Sequence, residues 1–357
     1  MARPSRARSS RVDGAFTGKR NKKVMTVRPP PFSADHSKPR DDSADGRARQ
    51  AIPRSAAAAG YASPVYAQAL SEFGTPLLLS GSGGWLLKRG ISGSAVPDAM
   101  GCYPVFACPD WSGLREDLAA LKEELVSITL VADPFGNHSG DLLRDCFPDL
   151  CTRYKEHYVV DLDRLAFESI SSHHRRNVRR GLREVEVEFC PDPEAHLDNW
   201  NRLYKELVTR HGITGIAAFS RNSFRKQMRV PGLKMQRAVH RGETVGMVLW
   251  FVDRGVAWYH LGAYSERGYR LRASYALFWA ALEHFSGRIE TAALGAAAGA
   301  TPGGGGGLDR FKAGWATGTR PAFLCGRILS PERYAALSAA QMQAGGYFPA
   351  YRAGEFR

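Results

Sequence analysis

Apolar positions along this chain change period several times, and each change predicts an element. In 111–125, Leu114, Leu118, Leu121 and Leu125 recur at helical spacing and predict one amphipathic helix. A β-branched apolar strand follows at 126–131 and stops at Asp133-Pro134. Residues 83–89 and 103–107 read as short strands before it. Residues 139–147 read as a short helix after it, and 155–161 as a strand. These make a first α/β unit, 61–162.

A second unit, 163–345, starts with a helix that Ser171 or Ser172 caps, running through Arg183. Leu197, Trp200, Leu203, Tyr204, Leu207 and Val208 stripe the next helix, and Gly212 suits its end. Ser220 caps another, through Met228. Three strands follow at 233–239, 244–252 and 256–263, joined at Arg241-Gly242 and Arg254-Gly255. Glycine turns between apolar runs predict an antiparallel meander. A helix at 273–285 and a strand at 289–294 complete a β-β-β-α-β order. The fold class is therefore α/β (α+β), with a mixed, mostly antiparallel sheet flanked by helices.

Charge changes the picture at the N-terminus. The 357 residues carry a net charge of +14. Residues 1–60 hold 14 Lys/Arg against 5 Asp/Glu, and the remainder holds 35 against 30. Rich in Arg, Ser, Pro and Ala, 1–60 reads as a disordered basic tail, and 346–357 as a short C-terminal tail. No apolar run reaches membrane-helix length and no secretory core follows the start, so a cytoplasmic protein is expected. The six cysteines show no zinc spacing, so no metal is expected and the thiols are read as reduced and mostly buried.

Candidate chemistry concentrates between Trp258 and Trp315. Arg267, Gly268, Arg270, Arg272, Ala273 and Ser274 form a basic loop opening onto a helix. Guanidinium groups and first-turn N–H groups there suit a phosphate-rich donor such as acyl-CoA. Arg175, Arg176 and Arg179, with Arg180 and Arg183, make one basic helix face. It suits a donor phosphate, a sugar-nucleotide pyrophosphate or tRNA, or it is a solvated face paired with nearby glutamates. His260 and Tyr264 lie four apart beside the donor cleft. Histidine accepts a proton from an attacking ammonium, and tyrosine protonates a leaving thiolate; a strand histidine is otherwise a core residue. Asp309 and Glu290 are rival bases. The glycine run 303–307 is not a phosphate loop, because no Gly-Lys-Ser/Thr follows.

These residues carry a resemblance. The succession Tyr259-His260-Leu261-Gly262-Ala263-Tyr264-Ser265, Ala273-Ser274-Tyr275-Ala276-Leu277, Leu294-Gly295 and Phe311-Lys312-Ala313-Gly314-Trp315 resembles GNAT-fold acyltransferases of the Fem type. That group includes aminoacyl transferases of cell-wall synthesis and acyl-CoA-dependent relatives. The run His173-His174-Arg175-Arg176-Asn177-Val178-Arg179-Arg180 is similar to the one such proteins carry before their second half. The resemblance spans residues 80–331 and implies two tandem GNAT-like halves. It implies that Lys312 stabilises the oxyanion as an amine attacks the donor carbonyl, and that Asp98 and Tyr103 lie on the acceptor side. The usual pyrophosphate signature is present only in fragments, as is typical of the Fem type.

The reading that follows is N-acyl transfer from acyl-CoA (acetyl-CoA) to a small-molecule amine or a sugar-nucleotide acceptor. The first alternative is a Fem-type transferase using aminoacyl-tRNA and a peptidoglycan precursor. The second, a non-catalytic nucleic-acid-binding protein, rests on charge alone.

Overall fold

The computed structural model describes residues 58–122, 124–296, 306–339 and 347–355. The predicted tail up to residue 57 and glycines 303–305 lie outside the described residues. The described segments belong to one compact unit, Pro53–Arg357.

The chain begins with a short helix, α1 (Pro64–Ala69), and a meander of β1 (Thr75–Leu78), β2 (Trp85–Ile91) and β3 (Ser94–Gly101). Helix α2 (Leu114–Ala120) leads to β4 (Ser127–Val131), which pairs parallel to β3. Helix α3 (Gly140–Cys146) precedes the long β5 (Leu150–Asp161). Then come α4 (Ser172–Glu184), β6 (Glu186–Cys190), α5 (Leu197–His211) and α6 (Arg221–Gln227). A second meander follows: β7 (Leu233–His240), β8 (Glu243–Asp253) and β9 (Val256–Tyr264). Helices α7 (Glu266–Arg270) and α8 (Ala273–Phe285) lead to β10 (Thr291–Gly295), parallel to β9. Helix α9 (Gly307–Ala313), β11 (Gly318–Ile328) and α10 (Pro331–Ser338) complete the order.

All eleven strands among the described residues share one sheet, ordered β1-β2-β3-β4-β11-β5-β10-β9-β8-β7-β6. Meander, helix and parallel strand occur twice, once in each half. The β11–β5 pair joins the halves at the centre. Among the named strands of the described residues only the β3–β4 and β9–β10 pairings are parallel, so the sheet is mixed and mostly antiparallel, as the patterning predicts.

Local chemistry accounts for the joints. Arg241, Gly242, Arg254 and Gly255 all take positive φ, as two-residue hairpin turns of the right twist require. Ser171 and Ser220 each accept a backbone N–H in the first turns of α4 and α6, and Gly212 closes α5 in the left-handed region. Side chains of β8 alternate between two cores. Met247, Leu249 and Phe251 join residues of α1, α5 and α6, whereas Val248 and Trp250 join residues of α4 and α8. Burial on both faces explains why β8 lacks the polar alternation of a surface strand.

Two expectations need correction. Residues 103–107 form no strand and contribute one bridge, Phe106 to Ala132. The predicted helix over 111–125 is a 3-10 turn (Trp111–Gly113) and then α2, which ends at Ala120; Leu121 and Leu125 are nonetheless buried. The six cysteines are unpaired and five of them are buried.

Candidate active site

The site grows from a parting of two strands. β9 and β10 pair only from Val256–Thr291 to Trp258–Ala293. Past Trp258, β9 continues to Tyr264 paired with β8 alone. A bulge helps turn it, because Leu249 faces Leu261 while the next residue, Trp250, faces Tyr259. β10 ends at Gly295 with φ +72°, opposite Tyr158 of β5.

Lys312 reaches this gap from α9. Its ammonium donates to the Ala296 carbonyl at 2.6 Å and lies 5.9 Å from the centre of the Tyr259 ring. The residue is only 6 % exposed. Burial pushes its pKa down to about 7; neighbouring Lys155 adds to the shift, and Asp309 opposes it. The site therefore holds an enclosed amine poised between charged and neutral.

The run around Lys312 is fastened by a histidine. His174 Nε2 lies 2.8 Å from the Phe311 carbonyl, which can only accept, so that nitrogen carries the proton. His174 Nδ1 then accepts from Ser171 Oγ at 2.8 Å, while that oxygen accepts the His174 backbone N–H at 3.2 Å. Burial lowers the His174 pKa, which suits this neutral form. Phe311 and Trp315 pack against Tyr275 and Phe278 of α8. The Asp309 carboxylate accepts from the Tyr158 hydroxyl at 2.7 Å, tying the start of α9 to β5.

The structure places the other predicted residues more widely. His260 is buried between Tyr61 and Gln227, with Nδ1 at 3.1 Å from the Tyr61 hydroxyl and Nε2 at 3.0 Å from Gln227 Oε1. Its ring stacks on Phe251. Both nitrogens are taken, so the proton-acceptor role expected of it is corrected to packing in the core. Tyr264 is buried against Tyr269, with its hydroxyl beside that of Tyr259. Gly262 is required there: a Cβ would lie 2.2 Å from Tyr259 Oη and 3.1 Å from Tyr264 Oη.

The expected basic loop is the helix α7, capped by Ser265, whose side chain accepts from Gly268 N at 3.1 Å. Gly268 fits because a Cβ would meet the Val245 carbonyl at 2.1 Å. Arg267 pairs with Glu243 at 3.4 Å and Arg270 with Glu266, so acids already neutralise two of the three arginines. Arg272 differs. It caps α8 in the left-handed region, with no side-chain cap, and its buried Nε has no partner among the described residues. It stands directly before Ala273 and Ser274, the open first turn of α8.

On α4, Arg175 donates to the Glu168 and Ile170 carbonyls, and Arg179 lies over the Phe167 ring. Arg176 is exposed without an ion pair among the described residues. Asp98 is buried in the first half and bound by both arms of Arg352, at 2.7 and 2.8 Å. It lines, with Tyr103, a cavity of about 110 Å³ closed by Phe348 and Arg352. The C-terminal segment thus occupies Asp98. No group of metal-ligating side chains occurs among the described residues.

Sequence reasoning missed Lys155, His157, His174 as a fastener, and Tyr259. All lie on strands or helices whose local pattern is ordinary, and only the sheet order brings them near Lys312.

Burial of His260 carries a prediction. Burial lowers its pKa to about 3, whereas unfolded histidine titrates near 6.5. Between these values the unfolded state binds more protons, so stability falls as pH drops below about 6.5 and stops falling near 3. From pH 7 to 5 this amounts to about 2 kcal/mol at ~1.4 kcal/mol per unit. Denaturant melts at both pH values should show His260→Gln losing about 2 kcal/mol less than the parent. Equal losses would mean that the ring is not held neutral.

Comparison with known proteins follows the geometry. Residues 170–298 match the family model described as an acetyltransferase (GNAT) domain; Lys312 lies beyond the matched stretch. FemX has the same fold at a TM-score of 0.58 and 13% identity, over 77% of this chain and 93% of that one. The C-terminal domain of a lysylphosphatidylglycerol synthetase described as putative, from Agrobacterium fabrum, scores 0.53 at 16% identity, over 79% and 93%. A conserved protein of unknown function from Bacteroides thetaiotaomicron scores 0.52 at 12% identity, over 74% and 90%. No curated protein matches the chain in sequence. The chain shares its fold with these structures and carries, over residues 170–298, a stretch that matches the acetyltransferase (GNAT) domain.

Proposed function

We propose that the chain is an acyltransferase that moves an acyl group from an activated ester or thioester onto an amine, with the new bond made in the gap between β9 and β10. One observation carries this reading: Lys312 is an enclosed ammonium at the mouth of that gap, anchored on Ala296 O. When an amine attacks a carbonyl, the oxygen becomes negative. A fixed donor aimed at developing charge acts chiefly in the transition state. Collapse of the intermediate then expels a thiolate or a ribose hydroxyl, with no covalent enzyme intermediate.

The donor divides into two readings. Arg272 and the uncapped first turn of α8 suit the phosphates of acyl-CoA, with a small amine or sugar nucleotide as acceptor. The pairing of Arg267 and Arg270 with glutamates favours the other. It leaves one free arginine for a pyrophosphate and suits an aminoacyl ester on tRNA, with a peptidoglycan precursor as acceptor. The fold shared with FemX, and with the C-terminal domain of the protein described as a putative lysylphosphatidylglycerol synthetase, supports it further.

Calorimetry separates them. Binding of acetyl-CoA that weakens with salt and with Arg272→Ala supports the first reading. Binding of alanyl-tRNA with no heat from CoA supports the second. Binding of neither, with no transfer, overturns both.

A further inference from the structure

Resting on that acyl-transfer reading, we infer that His157 of β5 is the proton acceptor for the attacking amine, working across the gap from Lys312.

His157 is 7 % exposed, on the central strand of the sheet. Its Nδ1 is fully enclosed without a hydrogen-bond partner among the described residues. Buried polar atoms are almost always partnered, so an orphaned imidazole in a packed strand calls for a reason. Nε2 makes no hydrogen bond among the described residues either, yet it is not among the enclosed orphan atoms, so it is the nitrogen open to a ligand. This contrasts with His174 and His260, whose nitrogens are all engaged.

Position agrees with the role. On one side His157 pairs with Arg320 of β11. On the other, the β10 ladder has just ended at Gly295–Tyr158. Its ring meets Trp258 edge to face at 6.3 Å, and Trp258 is the last β9 residue paired with β10. His157 therefore sits where the strands part. Tyr158, next along β5, packs instead with the core of α4 and α8. Lys312 and His157 thus approach the gap from opposite faces of the sheet.

The surrounding charges keep the ring ready. Burial, helped by the charges of Lys312 and Lys155 and opposed by Glu156, lowers the His157 pKa to about 4. At neutral pH the ring is unprotonated and able to accept.

The step balances as follows. The amine nitrogen forms a C–N bond to the donor carbonyl carbon, whose π electrons move to oxygen beside the Lys312 ammonium. The nitrogen loses its proton to His157 Nε2. The carbonyl reforms, the C–S or C–O bond breaks, and the imidazolium returns the proton to the leaving sulfur or oxygen. The products are an amide and a free thiol or hydroxyl, with histidine regenerated.

The test compares acceptors that need a base differently. Wild type and His157→Gln are assayed with acetyl-CoA and with alanyl-tRNA as donors, and with ethylamine and hydroxylamine as acceptors. A general base contributes on the order of a hundredfold or more. His157→Gln should slow ethylamine transfer by about that factor and leave hydroxylamine within severalfold, because the nitrogen of the hydroxylamine adduct is far more acidic and gives its proton to water without help from a base. A second variant, His157→Asn, and a thermal melt of each guard against a folding defect. Equal slowing of both acceptors, or of neither, overturns the role of His157 while leaving acyl transfer intact. No transfer by wild type to either acceptor overturns the acyl-transfer reading and this inference together.

Discussion

Lys312→Met should make the protein more stable at pH 7 and nearly inactive. An unfolded lysine holds its proton to about 10.5, whereas Lys312 in the fold holds it only to about 7. Between these values the unfolded state binds more protons, so stability rises with pH across that window. The penalty is full below about pH 7 and absent above about 10.5. A shift of that size corresponds to about 5 kcal/mol at ~1.4 kcal/mol per unit. Methionine fills similar space without charge, but it leaves the Ala296 carbonyl without its donor, at about 1–3 kcal/mol. The net gain should be about 2 kcal/mol at pH 7 and shrink as pH approaches 10.5. Denaturant melts at pH 7 and 10 would show this. A variant that loses stability at pH 7 would mean that the ammonium is well solvated in the fold.

The cost falls on catalysis. If the ammonium steadies the oxyanion, Lys312→Met should lower kcat on the order of a hundredfold with donor affinity nearly unchanged. Lys312→Arg should rescue poorly, because a planar fork does not replace a compact point charge in a closed gap. Near-normal turnover in Lys312→Met would remove the residue from the mechanism. Stability and activity pulling apart at one buried group is the expected signature of a site kept for chemistry.

Elements with local causes were legible. α8 spans the residues its apolar pattern predicts, and both Arg-Gly hairpins lie where the turn residues stand. β3 was not legible, because Pro97, Asp98 and Gly101 disguise it. β11 was hidden by Pro321, which argues against an interior strand. The structure shows why proline is tolerated: β11 pairs with β4 only from Leu324 onward, so Pro321 owes that neighbour no hydrogen bond. The site divides in the same way. Lys312 stood out within Phe311-Lys312-Ala313-Gly314-Trp315. His157 did not, because its significance depends on a residue 155 positions later. The arginines near α8 show the same dependence on the fold, since the pairing of Arg267 with Glu243 joins residues of different elements.

Gly314→Ala should be among the most damaging small changes in the chain. The backbone there is ordinary right-handed helix, φ −70° and ψ −15°, so alanine is not strained by conformation. The obstacle is His174. A Cβ at 314 would lie 2.0 Å from His174 Cε1, 2.4 Å from Nδ1 and 2.5 Å from Nε2. The ring cannot swing aside without giving up the Phe311 carbonyl and Ser171 together. Overpacking a fixed core costs about 1–3 kcal/mol, and breaking these bonds adds to it, so a loss of about 3 kcal/mol is expected. Because the same ring holds α4 against α9, the displacement should also reach Lys312, two residues earlier, and reduce turnover. His174→Ala removes both the obstacle and the fastening. Gly314→Ala should therefore cost much less in that background than in the parent, a coupling of about 1–2 kcal/mol. Denaturant melts of the parent, both single variants and the double variant measure it. Strictly additive losses would mean that the glycine is needed for something other than room for His174.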